Sequence, residues 1–216
     1  MPGWGQTTWF YRYLVPPVRE VLEAGPAGEK ALRAPRHADV CVLFTDIRGF
    51  TELSRVIEPE VLSDTVNLHV AHQARSVDQY GGYVYNFTGD GLMALFEGER
   101  MEERACRCAL DIMDTAQRPP AQRNARSVPL GVGLHAGHAV FASVGCESWR
   151  TYTAMGKTVN TAARLCDHAR RPPGVIVSET VRRRSSTATG LAFEPLGGAL
   201  PQGVDSDLGL YRLRAV

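Results

Sequence analysis

The sequence predicts an α+β fold, a mixed and mainly antiparallel sheet flanked by helices. Three observations carry that expectation. Segments of helical period alternate along the chain with short apolar runs of strand character. Two of those runs, residues 83–87 and 92–96, flank the polar turn Thr88-Gly89-Asp90-Gly91 and read as a hairpin with an aspartate at its tip. The 216 residues are 44% apolar and 22% charged, an ordinary globular balance able to bury one substantial core. Strands interleaved with helices and hairpins imply a sheet with helices packed upon it.

Taken in order, residues 9–22 mix aromatic and aliphatic side chains with Pro16 and Pro17 and read as a short helix or arm. Residues 24–35, rich in Gly, Pro and Ala, read as a linker. The division is thus a lead-in over 1–35 and one globular domain over 36–216. The continuous apolar run 40–44 suits a strand buried on both faces. Pro59 suits a first helical turn, and Val61, Thr65, Leu68, His72 and Val77 recur at helical spacing up to Tyr80. Gly81-Gly82 ends that helix and the hairpin follows. A second helix is expected from about 99 to 116, stopped by Pro119-Pro120. A second hairpin, 130–135 with 139–144, would turn through Ala136-Gly137-His138. A helix over 159–169, a strand over 175–177, a helical stretch near 179–183 and late strands near 191 and 208–213 complete the chain.

A formal net charge of +1 gives no field to draw in nucleic acid or an anionic membrane, so an anionic ligand needs a local site. Five cysteines without Cys-x-x-Cys spacing suit a reduced, cytoplasmic setting. No run approaches the ~20 apolar residues of a membrane span, so any anchor is expected to lie outside this chain.

Asp46 follows a buried strand and Asp90 sits in a hairpin turn; adjacent strands would bring them together. Two neighbouring carboxylates repel each other and take up a proton unless hard divalent ions such as Mg2+ or Mn2+ relieve the charge while keeping waters and ligand phosphates in their shells. Taken singly, Asp46 could cap a helix starting near Phe50 and Asp90 could serve its turn. The neighbouring Ile47-Arg48-Gly49-Phe50 supplies a small-residue turn into a helix N-terminus, whose free N–H groups can hold phosphate oxygens. Gly49, Phe50 and Thr51 are therefore candidate substrate contacts.

Four blocks in order now carry a resemblance over nearly all of residues 36–213: Phe44-Thr-Asp-Ile-Arg-Gly-Phe-Thr51, Phe87-Thr-Gly-Asp-Gly-Leu-Met-Ala-Leu-Phe96, Gly133-Leu-His-Ala-Gly137 and Tyr152-Thr-Ala-Met-Gly-Lys-Thr-Val-Asn-Thr-Ala-Ala-Arg-Leu165. The sequence resembles the class III adenylate/guanylate cyclase catalytic domains of bacterial type. That resemblance implies a ferredoxin-like, palm-type core. It also implies two metal ions held by Asp46, Asp90 and the carbonyl of Ile47, and conversion of a nucleoside triphosphate to a 3',5'-cyclic nucleotide and pyrophosphate. It further implies a head-to-tail homodimer, with Asp46 and Asp90 from one chain and Asn160, Arg164, Asn86 and Thr153 from the other. Tyr13-Leu-Val-Pro-Pro17 is similar to the family's lead-in from an upstream sensor or transducer.

Asn160 and Arg164 are four apart, so a helix projects both from one face. By resemblance Asn160 orients the ribose and Arg164 stabilises charge on the α-phosphate, a task suited to a permanently charged guanidinium fork. Gly156-Lys157-Thr158 lacks the first glycine of a P-loop, since Thr151 stands there, and should instead begin the helix with Lys157 exposed.

The pattern departs from the family in two places. Adenylate members usually carry lysine four residues before the second metal aspartate and guanylate members glutamate; this chain has Asn86, whose amide both donates and accepts. Thr153, the other base-reading position, favours ATP, with GTP as the alternative substrate. Gln202 occupies the place where many relatives hold the triphosphate with lysine, and Arg48 and Arg150, expected at the surface or an interface, could compensate. These departures also admit a silent cyclase-like regulatory domain. His69 and His72 on one helix, and His135 and His138 beside the expected turn, suggest ordinary structural roles.

Overall fold

A computed structural model describes residues 15–118, 127–146, 148, 150–169, 172–198 and 200–216. Residues 13 and 14 of the lead-in motif, and Pro119-Pro120, lie outside them.

Two short helices open the described chain, α1 (Pro16–Glu23) and α2 (Pro26–Arg33). The linker expected over 24–35 is thus mostly helix. Pro26 stands at the first helical turn, where its missing N–H costs nothing, and Lys30 and Arg33 complement the last-turn carbonyls. Gly28 is there for close packing: a Cβ on it would fall 2.0 Å from the Val21 carbonyl oxygen of α1.

The sheet is built from β1 (Arg36–Ile47), β2 (Tyr83–Phe87), β3 (Leu92–Phe96), β4 (Leu130–Gly145), β5 (Arg150–Met155), β6 (Gly174–Ser178), β7 (Leu191–Pro195) and β8 (Leu210–Ala215). Its order is β2-β3-β1-β4-β6-β8-β7, with β5 pairing β4. Only β4 and β6 pair in parallel among the described strands; the other ladders are antiparallel. This is the mixed, mainly antiparallel sheet the sequence predicts. Between the strands run α3 (Phe50–Val56), α4 (Pro59–Gln79), α5 (Met101–Gln117), α6 (Lys157–His168) and α7 (Glu179–Arg184).

Strand alternation sorts the core. Cys41, Leu43 and Ile47 of β1 pack with Val77 of α4, Ala105, Ala109 and Ile112 of α5 and Val181 of α7. Val40 and Val42 face the other way, onto Tyr85, Met93, Phe141 and Ala162 of α6. Each fully buried large side chain such as Leu43 or Phe96 contributes about 1.5–3 kcal/mol.

The expected turn at Ala136-Gly137-His138 is absent. β4 runs unbroken through it, paired with β1 from Leu130 to Phe141, and its glycines serve helix packing. A Cβ on Gly133 would lie 2.1 Å from the Cys166 nitrogen, and one on Gly137 would lie 2.9 Å from Thr158 Oγ1. Glycine at these positions lets α6 lie directly on the strand. The true partner of the far half of β4 is β5, which pairs with Val140 to Gly145. His135 donates to or accepts from Ser178 Oγ at 2.8 Å, and His138 meets His37 at 3.1 Å, so both serve strand neighbours. Among the described residues no helix is long and apolar enough to cross a membrane.

Candidate active site

Asp46 is the next-to-last residue of β1, and by alternation it shares the face of Phe44 and Val42, the face on which α6 lies. β3 pairs with β1 through Phe44 and Met93, and the turn that precedes β3 passes hard against the end of β1. A Cβ on Gly91 would fall 1.9 Å from the Thr45 carbonyl oxygen and 3.1 Å from the Asp46 Cα. This approach sets Asp90 beside Asp46, close enough for their carboxyl groups to share a hydrogen bond. Burial first, and then the Asp46 charge and that bond, push the Asp90 carboxyl up from 3.8 to about 6.

A countercharge is built in. Arg48 donates to Asp46 Oδ2 at 2.8 Å and to the carbonyl of Cys166 on α6. Its side chain is 8% exposed, so the expectation of a surface or interface arginine is corrected. The signal that could have found it is spacing: two residues beyond Asp46 on an extended chain, Arg48 returns to the same face. Its Nε is buried without a hydrogen-bond partner among the described residues.

The donor set fits hard divalent cations. Two carboxylates side by side, with the Asp90 proton held more tightly by burial first and by the Asp46 charge second, offer oxygen ligands whose repulsion a 2+ ion relieves. Among the described residues no group of three or more His, Cys, Asp or Glu converges. Two carboxylates would leave coordination positions on such an ion for water and phosphate. Ile47 is buried beside Asp46. Gly49 takes the left-handed conformation, φ 70°, ψ 23°, that caps α3 and turns the chain from strand to helix. Phe50 packs onto the core beneath, and Thr51 is exposed.

The other candidates do not join this cluster within the chain. Ala162 and Cys166 of α6 face the sheet. At 100° per residue, Asn160 and Arg164 lie on the opposite side of the helix, and both are exposed. Arg164 donates to the Gln202 carbonyl, so the residue in the lysine's place contributes backbone rather than charge. Lys157 is exposed as expected and pairs with Asp205. Thr153 pairs with Ala142 and Asp46 with Gly131, eleven residues apart along one strand, or about 36 Å of extended chain. Asn86 is exposed at the end of β2. Its neighbour Tyr85 and Thr153's neighbour Tyr152 both pack on the Phe141 ring, at 6.1 and 6.2 Å between centroids. The fold thus gathers Asp46, Asp90, Ile47, Gly49 and Phe50 at one end of β1. It leaves Asn160, Arg164 and Thr153 aimed or placed elsewhere. His69 is buried, and burial lowers the pKa of half-buried His72; neither belongs to the cluster.

Residues 32–203 match the model of the family described as Adenylate and Guanylate cyclase catalytic domain. The chain belongs to this family, the class III nucleotide cyclases. Adenylate cyclase 1 of Rhizobium meliloti is 31% identical over 206 residues, 92% of this chain and 30% of that protein. The adenylate cyclase of Anabaena cylindrica is 24% identical over 95% of this chain and 41% of its own length. This cyclase domain therefore spans well under half of either relative. Among solved structures, the adenylyl cyclase CyaB of P. aeruginosa has a TM-score of 0.71 at 22% identity, covering 85% of this chain and 97% of that one. The guanylyl cyclase Cya2 has a TM-score of 0.69 at 21% identity, covering 84% and 94%. Both share the cyclase fold.

Proposed function

We propose that this cyclase domain converts ATP to 3',5'-cyclic AMP and pyrophosphate at sites shared between two copies of the chain. The observation that carries the reading is the side-by-side pair Asp46 and Asp90 at one end of the sheet, with Asn160 and Arg164 on a helix face turned away from it. Asp46, Asp90 and the Ile47 carbonyl would hold two Mg2+ or Mn2+ ions. When bound, such ions supply charge neutralisation for the triphosphate and lower the pKa of the ribose 3'-hydroxyl.

Everything else falls to the chain's own groups. Amides at Gly49, Phe50 and Thr51 receive phosphate oxygens. Arg164 of the second copy leaves the Gln202 carbonyl to fork onto the α-phosphate, where charge grows as the 3'-oxygen attacks in line, and Asn160 holds the ribose. Asn86 and Thr153 read the base; Thr153 and the adenylate cyclases among the relatives favour adenine. With Gln202 in place of a lysine, the β- and γ-phosphates lose one countercharge, so weak substrate affinity is expected. No motif side chain is placed as a general base, which leaves the proton to water or a substrate phosphate. The relatives' greater length accords with a sensor or transducer upstream of the domain. The test is direct: purified chain with Mn2+ or Mg2+ and either ATP or GTP, cyclic nucleotide being measured. Cyclic AMP from ATP is expected; cyclic GMP as the main product would reverse the base assignment, and neither product would leave a silent regulatory domain.

A further inference from the structure

We propose that Thr45 and Gln73 are positioning residues that fix the separation of Asp46 and Asp90, a proposal that rests on the metal-site reading above. Thr45 immediately precedes Asp46, is 1% exposed, and by alternation points to the opposite face, toward α4. The β1/β3 ladder stops at Phe44 and Met93. One residue further on, the Thr45 hydroxyl takes over: it accepts from the Leu92 N–H at 2.9 Å and donates to Gln73 Oε1 at 2.5 Å. Leu92 is two residues past Asp90, so this one hydroxyl ties the segment bearing the first aspartate to the segment bearing the second. Gln73, 2% exposed on α4, orients it from below.

The pair is polar where an apolar side chain would pack. Gln73 Nε2 is buried with no hydrogen-bond partner among the described residues, and a half-satisfied buried amide is a stability cost that leucine or methionine would avoid. A role confined to stability would favour that replacement. Holding a hydroxyl at a defined height against the Asp90 turn requires an acceptor, and Gln73 supplies one. Groups one step behind a metal ligand typically change metal affinity 10–100-fold when removed.

The experiment compares Thr45→Val, Thr45→Ser and Gln73→Met in the full chain. Mn2+ binding is measured by electron paramagnetic resonance without nucleotide, and hydrogen exchange is measured at the Leu92 amide. Thr45→Val should lose protection at Leu92 and bind Mn2+ about tenfold more weakly, while Thr45→Ser, which keeps the hydroxyl, stays within about twofold of the parent. Gln73→Met should melt no lower than the parent yet weaken Mn2+ in the direction of Thr45→Val. Equal Mn2+ affinity in the parent and Thr45→Val, or equal losses in the valine and serine variants, would overturn the positioning role alone. A parent chain that binds no Mn2+ would overturn the metal-site reading, and this proposal with it.

Discussion

At the scale of single residues, Asp46 and Asp90 lie side by side, and the proposed chemistry rests on this pair. Asp46→Ala or Asp90→Ala is expected to reduce metal-dependent cyclase activity to below a few per cent, with the circular dichroism spectrum unchanged, because each removes a charge that the paired site needs. The raised Asp90 pKa gives a second outcome with a definite sign. A carboxyl at about 6 in the folded chain and 3.8 in the unfolded one holds its proton more tightly when folded. The stability this brings is fully present below about 3.8 and is lost as pH rises through about 6. In metal-free protein the melting temperature should therefore contain a falling component across that window. Mn2+ should raise it more at pH 7.5 than at pH 5.5, since at the lower pH it competes with the proton. Asp90→Asn should remove both effects; an unchanged pH profile in that variant would mean the titrating group lies elsewhere. Arg48 was legible only in retrospect, because identity and spacing place it on the aspartate's face but cannot say that α6 closes over it.

Among the elements, strongly periodic helices and the Asp90 hairpin came out of the sequence to within a residue or two. The helix expected from Pro59 to Tyr80 is α4 at Pro59–Gln79, and the hairpin strands are β2 and β3 as expected. Glycine misled twice, in the α2 segment and at Gly137, because a glycine that admits a neighbouring backbone looks in sequence like one that breaks an element. The packing of α6 on β4 can be tested at that level. Gly133→Ala puts a methyl group 2.1 Å from the Cys166 nitrogen and 2.5 Å from the Ala162 carbonyl oxygen, and neither is a flexible atom that can step aside. Overpacking of this kind costs about 1–3 kcal/mol, read as a lower urea midpoint at similar slope, and should cut activity further by lifting the helix that carries Asn160 and Arg164. Gly197→Ala, with nothing within 4 Å of the added Cβ, is the control and should unfold like the parent.

For the whole molecule, the placement of residues favours the proposed site being shared between two chains. An extended β4 holds Thr153 about 36 Å of strand away from the register of Asp46, and α6 turns Asn160 and Arg164 outward. A single chain could unite these groups with the aspartates only by unfolding the sheet or rotating the helix. Two chains related by a two-fold axis need neither, and they produce two equivalent sites, each using the metal end of one chain and the α6 face of the other. Sequence motifs suggest this proposed division only through family resemblance, because the strand register and helix orientation that favour it are long-range features that no local pattern encodes. Mixing lesions tests it. In a chain carrying Asp46→Ala the metal half is lost, in one carrying Arg164→Ala the phosphate half, and either homodimer should be inactive. A mixed dimer concentrates both lesions in one site and leaves the other intact. With equal amounts co-expressed and random pairing, half the dimers are mixed and each has one good site, so activity should return to about a quarter of the parent rate. No recovery in a preparation shown by mass spectrometry to contain mixed dimers would mean that both residues serve the same chain's site, and the shared-site arrangement would have to be abandoned.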